Sequence, residues 1–475
     1  MGRLLLAEWT KLASVPRWVA AMMAAVVLTV LVGLLGAASS TSDANRYWDF
    51  AVGPDGRSVR DDFHLAHRPL AGDGSVTARV ASQAGLVGEL QDWARAGVIL
   101  KEGLEPGSRY AAMMVTPGHG VRFQANFADE VAGGGTGARW LRLTRGGSVI
   151  DGYESVDGTA WRRVGTVDLA GLPSTVQIGL FVASPDAVQV TRQFGSVGIG
   201  GHPTAATATF DNVRVEPAGS PPGASWTDRD VGRPALEGDA TERAGGFTVS
   251  GSGDLAVVPP EEDVVRLSLT GVLVGLMAVV GLGVLSVTSE YKRGMIRTTF
   301  AASPRRGRVL AAKALVLGGA TFVAGLVACL AAFLLAQPTL RANGYGPPAF
   351  PRASLTDGPV LRAVIGSAAV LALVAVLGLA AGAILRRSAG AITAVILLLV
   401  LPQLVAAALP VSAGRWLQRL TPSAGFAIQQ TVERGLCLPE DGCFPEGPWL
   451  GFGVLCAYVA VALAVAFWLL RRRDA

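Results

Sequence analysis

Six stretches of the chain, 18–38, 267–288, 309–336, 359–385, 389–410 and 449–470, are apolar on every face. About 20 such residues cross about 30 Å of hydrocarbon as a helix, so each stretch predicts a transmembrane span. Between the first and second spans the pattern changes to short alternating runs broken by turn residues. In Trp140 to Thr144, Leu141 and Leu143 share one face of a strand, and Arg142 and Thr144 share the other. Gly146-Gly147 predicts a tight hairpin turn into Ser148 to Ser155, and Asp157-Gly158 predicts another into Ala160 to Leu169. With Val176 to Ser184 and Thr207 to Val215, residues 70–216 read as an all-β sandwich. Residues 217–262, with Gly-Ser-Pro-Pro at 219–222 and a Gly-rich run from Gly245 to Gly253, read as a linker carrying one or two strands.

The first apolar stretch has two readings. Leu35-Gly36-Ala37 loosely resembles a signal-peptide cleavage site, but Glu8 and Trp9 precede the run, and the run exceeds the 7–15 residues of a secretory core. A retained helix is the expectation.

Composition supports a membrane as solvent: 51% of residues are hydrophobic and 16% charged, against about 25% charged in soluble domains. Orientation follows from Lys and Arg at the span ends, since inner loops carry the excess. With an inner N-terminus, fifteen fall inside (Arg3, Lys11, Arg17, Lys292, Arg293, Arg297, Arg305, Arg306, Arg308, Lys313, Arg386, Arg387 and Arg471 to Arg473). Eight fall outside, leaving the body of the large domain uncounted: Arg46, Arg266, Arg341, Arg352, Arg362, Arg415, Arg419 and Arg434. Both termini are therefore expected in the cytoplasm and residues 39–266 outside the cell. The net charge of +5 reflects topology, and no nucleic-acid partner is expected.

Chemistry-bearing residues are sparse. Cys329 and Cys456 lie inside apolar spans as small hydrophobes. Cys437 and Cys443 flank Leu-Pro-Glu-Asp-Gly in an outer loop, where an oxidising exterior lets them pair as a disulfide. His64 and His67, three apart on a strand, point to opposite faces and make a poor metal pair; all four histidines are expected at the surface, and no metal site is expected. No pair of carboxylates suits glycoside hydrolysis, and no Gly-x-x-x-x-Gly-Lys-Ser/Thr loop is present to cradle ATP, so the chain is expected to be no enzyme.

Four segments, Trp93 to Val98, Trp140 to Arg145, Tyr153 to Trp161 and Phe210 to Val213, resemble the concanavalin A-like (laminin-G-like) jelly-roll domains of secreted bacterial proteins over roughly residues 45–216. Such domains often bind glycans, which implies a sugar-stacking platform of Trp93, Trp140, Tyr153 and Trp161. The alternative places these aromatics in the sandwich core.

A second resemblance lies in the basic stretch Ser289 to Lys313. There a Glu just past a span (Glu290) is followed by Lys292, Arg293, Gly294, Ser303-Pro304, Arg305 and Arg306. This looks like the coupling loop of permease subunits of ABC transporters of the type-two export class. The amphipathic Leu4 to Leu12 with Arg3 and Lys11, the inner turn Arg386-Arg387-Ser388, and the terminal Arg471 to Ala475 agree with it over residues 1–40 and 262–475. The departure is the large domain after the first span.

The expected fold is a polytopic α-helical membrane protein of six transmembrane helices with an inserted all-β jelly-roll sandwich. Its segments are a cytoplasmic lead-in helix and first span at 1–40, an extracellular sandwich at 41–218, a linker with extra strands at 219–262, and the five-helix remainder at 263–475. The resemblance implies an exporter subunit in the cell membrane that binds no cofactor itself. A separate ATP-binding subunit, using ATP and Mg, would dock on 289–313 through Glu290, Lys292, Arg293, Gly294, Pro304, Arg305 and Arg306, and a second permease subunit would complete the pathway. Gly414 to Gln430, with Trp416, Leu417, Leu420 and Phe426, is read as the family's re-entrant gate or an interfacial helix. Gly271-x-x-x-Gly275 and Gly378-x-x-x-Gly382 predict close helix packing within the subunit. The alternative function is a membrane-anchored extracellular glycan-binding or sensor protein.

Overall fold

The computed structural model describes residues 2–42, 50–193, 196–216, 225–243, 245–258, 260, 262–292, 306–432 and 446–472. The chain forms two compact units, one of residues 44–258 with 347–351, the other of 1–43, 259–346 and 352–475.

The first unit is a β-sandwich whose strands follow from the alternation. In β9 (Arg139–Gly146), Leu141 and Leu143 are buried while Arg142 and Thr144 are partly exposed, as predicted. β9 pairs with β10 (Val149–Ser155), which pairs with β11 (Arg162–Asp168). With β4 (Gly74–Val87), β15 (Ala205–Glu216), β18 (Gly246–Gly251) and β17 (Asp239–Arg243) they make a seven-stranded antiparallel sheet in the order β11-β10-β9-β4-β15-β18-β17. The facing sheet runs β16 (Thr227–Val231), β3 (Phe63–Ala71), β12 (Thr175–Ala183), β5 (Arg95–Lys101), β6 (Tyr110–Thr116), β7 (Gly120–Ala125), β8 (Asp129–Ala132). A hairpin of β13 (Ala187–Gln193) and β14 (Ser196–His202) stands apart.

A close fit joins the two sheets. Gly152 and Gly165 are register partners, and a Cβ at either would lie 2.4 Å from the Phe123 ring. Two paired glycines therefore open the space that a phenylalanine of the opposite sheet fills.

Every residue of β5 and β6 is buried, because the second sheet is covered on both faces. Its far face carries a separate cluster of Phe63, Ile99, Tyr110, Phe127 and Phe181 beneath a small sheet of β1 (Ala51–Val52), β2 (Ser58–Asp61) and β19 (Leu255–Val257). Within that layer lies the ion pair of Lys101 and Asp61, at 2.6 Å and fully buried, with the Gly107 amide also donating to Asp61.

The segment 219–262, expected as a linker with one or two strands, carries four among its described residues, and their pairing decides whether they join the sandwich, which the sequence left open. Its strands belong to the sandwich: β16 edges one sheet beside β3, β17 and β18 extend the other beside β15, and β19 joins β2. The expected surface position of His64 and His67 is corrected here. Both are buried, with β16 paired along the edge of β3: His64 Nδ1 is 2.8 Å from Asp230, and His67 bonds Gln177 at 2.9 Å. Residues 347–351 also belong to this unit, the Pro348 carbonyl accepting from the Ser58 amide.

The second unit is helical. It comprises α1 (Gly2–Ser14), α2 (Pro16–Ser39), α3 (Val264–Ser268), α4 (Val272–Lys292), α5 (Arg306–Ala342), α6 (Gly358–Leu385), α7 (Ser388–Ala408), α8 (Val411–Leu420), a 3-10 helix Pro422–Gln429, and α9 (Pro448–Arg472). Six of these, α2, α4, α5, α6, α7 and α9, are long and apolar enough to cross a membrane. The second starts later than its apolar run predicts, because Asp263 caps α3 as a separate turn by accepting from the Val265 and Arg266 amides.

α6 is the most deeply buried of the six. Small residues set its contacts: a Cβ at Gly283 of α4 would lie 2.1 Å from the Ala375 carbonyl, and Gly378 and Gly382 approach Val280 and Val284 to 3.0 Å. Gly271 and Gly275 likewise meet Thr29 of α2, a Cβ falling 1.8 Å from its carbonyl and 2.3 Å from its hydroxyl. Both predicted glycine pairs are thus packing seams within one chain.

Candidate functional site

One end of the helical unit gathers four charged side chains from three helices. Lys313, about two turns into α5, places Nζ 2.7 Å from Glu8 of α1 and 2.9 Å from Glu290 of α4. Lys11, one turn beyond Glu8, bonds it at 2.9 Å and lies 3.5 Å from Glu290. Glu8, Glu290 and Lys313 are each at most 11% exposed at the side chain. Two carboxylates bridged by two ammonium groups form a closed array, in which each charge has a partner of opposite sign.

Local sequence explains the placement. α1 is strongly amphipathic and Pro16 begins α2, so the chain breaks at Ser14-Val15 and α1 is free to take a direction of its own. Glu8 and Lys11 are three apart and share a face of α1. Burial by itself pushes the Glu8 carboxyl up, but Lys313 and Lys11 outweigh it and hold it below its ordinary value of 4.5. Burial likewise pulls Lys11 down, and Glu8 and Glu290 outweigh that and raise it above 10.5.

Of the residues expected to couple to an ATPase, Glu290 therefore faces cations of its own chain, and Lys292 is exposed at the end of α4. Arg306, the first residue of α5, donates to the Leu470 carbonyl of α9 at 3.2 Å. Gly307 beside it touches Phe467, so this end of α5 rests on α9. Arg293, Gly294, Pro304 and Arg305 lie outside the described residues, as do Cys437 and Cys443. Sequence reasoning passed over Lys313 and Glu8 as members of a site. The signal for Lys313 was available: it is one of four lysines in the chain and lies near the start of the apolar stretch 309–336.

At the other end of the same unit, Asp263 accepts from the Thr431 amide and hydroxyl as well as from α3, and Arg362 of α6 donates to the Gln430 carbonyl. These bonds hold the segment read as a gate. Its halves differ: α8 is amphipathic with Trp416 and Leu420 well exposed, whereas all of Pro422–Gln429 is buried. Glycines cut its slot, Gly451 of α9 against the Ala424 carbonyl and Gly366 of α6 against Ile428, a Cβ at either falling at 2.2 Å.

In the sandwich, three of the four candidate sugar-stacking aromatics share the outward face of one sheet. Trp140 of β9 and Tyr153 of β10 alternate with buried neighbours, and Trp161 lies under the Arg142 guanidinium at 3.9 Å. The expectation that the aromatics fill the core does not hold for any of them. Trp93 sits apart, stacked on His119 at 3.7 Å.

No protein family and no curated protein matches the chain. Among solved structures, a mutant of the GH43 protein BlXynB from Bacillus licheniformis is similar at 14% identity and a TM-score of 0.19, over 23% of this chain and 24% of that one. Scytalido-glutamic peptidase is similar at 9% identity and a TM-score of 0.25, over 40% of this chain and 98% of the peptidase. A functionally unknown protein from Saccharomyces cerevisiae gives 16% identity and 0.19, over 33% and 73%. Likenesses at these scores carry no argument about fold or activity.

Proposed function

We propose that the chain is the membrane-spanning permease subunit of an ABC exporter, multi-pass in the cell membrane with both termini in the cytoplasm and the sandwich outside. The carrying observation is the four-charge array joining α1, α4 and α5 on either side of the loop 293–305. A loop that receives force from a partner must pass it to the spans. Here Glu290 and Lys313, which bracket that loop, are locked to each other and to α1, so a push on the loop moves three helices together.

Energy would come from a separate ATPase using ATP and Mg, since the chain has no phosphate loop. Lys292 and the loop arginines would meet acidic residues on that partner, and a second permease subunit would complete the pathway across the bilayer. Because Glu290 is spent within the chain, the docking charge falls to Lys292 and its neighbours. Lys292→Glu combined with Gly294→Trp is expected to abolish co-purification of the ATPase while membrane insertion stays intact; unchanged association would remove the coupling assignment.

A second reading, a membrane-anchored glycan-binding or sensor protein, is favoured by one observation: Trp140, Tyr153 and Arg142-Trp161 share an outward face rather than filling the core. Stacking on sugar rings uses such a face. Trp140→Ala and Tyr153→Ala are expected to weaken retention on cell-envelope glycan by about tenfold each, at the ~1–1.5 kcal/mol of an aromatic contact; equal retention of wild type and variants rejects it.

A further inference from the structure

Beside the charge array lies a cavity of about 380 Å³, bounded by α1, the start of α2, the end of α4 and the start of α5. Its wall is divided. Lys11, Ser14, Arg17 and Ser289 supply charge and hydroxyls, while Leu12 and Trp18 supply an apolar surface. Counting the array, three cations (Lys11, Arg17, Lys313) face two carboxylates (Glu8, Glu290). The array uses Lys11 and Lys313 to balance Glu8 and Glu290. Arg17 is left over: it forms no salt bridge among the described residues, and its guanidinium lies 5.6 Å from the neighbouring Trp18 ring.

We propose that this cavity binds the phosphodiester headgroup of a singly anionic phospholipid whose acyl chain lies along Trp18 and Leu12. The charge of the site fits one phosphodiester. A guanidinium presents paired N–H donors that match two phosphate oxygens, Ser14 and Ser289 hydroxyls suit the remaining oxygens or a polyol headgroup, and the unpaired positive charge equals the negative charge of one diester. A zwitterionic lipid brings an ammonium that would leave the site's charge uncancelled. The apolar wall excludes a fully hydrated free ion as the better ligand, because burying Trp18 and Leu12 requires a hydrocarbon partner. A tryptophan beside an arginine at the end of a span is also the residue pair that anchors helices at the headgroup level.

Bound there, the lipid would hold α1 against α2 and so stabilise the array from its open side. The inference rests on the permease reading only for the side of the membrane, the inner leaflet.

The purified full chain in detergent, titrated with dioleoyl phosphatidylglycerol and followed by native mass spectrometry, tests it without any ATPase. One tightly held lipid per chain is expected at concentrations where phosphatidylcholine gives none and where inorganic phosphate does not displace it. Arg17→Gln is expected to weaken that binding at least about tenfold, Ser289→Ala about fivefold, and Arg341→Gln, at the opposite end of α5, not at all. Equal binding by wild type, Arg17→Gln and Ser289→Ala would overturn the proposal, as would equal binding of phosphatidylcholine. Displacement by inorganic phosphate would also overturn it, by assigning the cavity to a free anion. Loss of ATPase association leaves this result untouched, so the two readings fail separately.

Discussion

Lys313 decides the fate of the charge array, because it is the cation shared by both carboxylates. Replacing it by Gln leaves Glu8 and Glu290 facing each other with only Lys11, which is 46% exposed. Breaking a buried pair by removing one partner costs about 3–5 kcal/mol, since an uncompensated charge stays behind. A fall in thermal stability of the full chain of that order is expected for Lys313→Gln, and a smaller one for Lys313→Gln with Glu8→Gln, where one orphaned charge goes too; equal losses would mean that the array is not coupled. The lowered Glu8 value makes its contribution present above 4.5 and lost as pH falls through the folded value, and the raised Lys11 value makes its contribution present below 10.5 and lost above it. Stability owed to these two groups should therefore be flat between about pH 5 and 10.

His67 behaves in the opposite way to a surface histidine. Burial holds its imidazole below the ordinary 6.5, with Gln177 opposing only in part, so the folded state binds the proton less readily than the unfolded one. Its contribution is complete above 6.5 and declines as pH falls below it, by up to about 1.4 kcal/mol per pH unit. Protection factors at the β3 and β12 amides, which correct for the slower intrinsic exchange at lower pH, should fall from pH 6.5 to 5.5, and His67→Gln should remove that fall; an identical pH response in the variant would contradict the assignment.

Among the elements, the buried 3-10 segment depends on absent side chains. Gly366→Leu or Gly451→Leu places atoms where Ile428 and the Ala424 carbonyl lie. Overpacking of this kind costs about 1–3 kcal/mol, and relief requires residues 422–429 to leave their slot. A cysteine at Ala427, inert to a membrane-impermeant thiol reagent in the parent, is expected to react in the Gly451→Leu background; continued protection would show that the slot accommodates the leucine. The spans and several strands were legible from the sequence because each shows its period without help from the rest of the chain. Leu141 and Leu143 report their face by alternation alone. β16, by contrast, is Thr-Asp-Arg-Asp-Val with no apolar alternation, and becomes a strand because β3 offers it a free edge. The burial of His64 and His67 was hidden for the same reason, since it depends on that distant strand.

On the scale of the whole molecule, the sequence indicated which residues carry charge near the coupling loop but not which of them meet. Glu8 and Lys313 are 305 residues apart, and no local period links them. Expecting Glu290 to serve a partner was reasonable from its place after a span; folding brings Lys313 and Lys11 to it first. On the proposed permease reading, Glu290 is then part of a joint behind the docking surface, and the contact with a partner falls to Lys292. In that proposal, force received by the segment after Lys292 passes to the spans through the four-charge array. Photo-crosslinking from Lys292 in native membranes, with mass-spectrometric identification of the captured protein, tests this most directly. The account predicts capture of an ATPase bearing a phosphate-binding loop, reduced severalfold when Lys313→Gln loosens the joint; a chain that inserts normally yet captures no such ATPase from that position would contradict it.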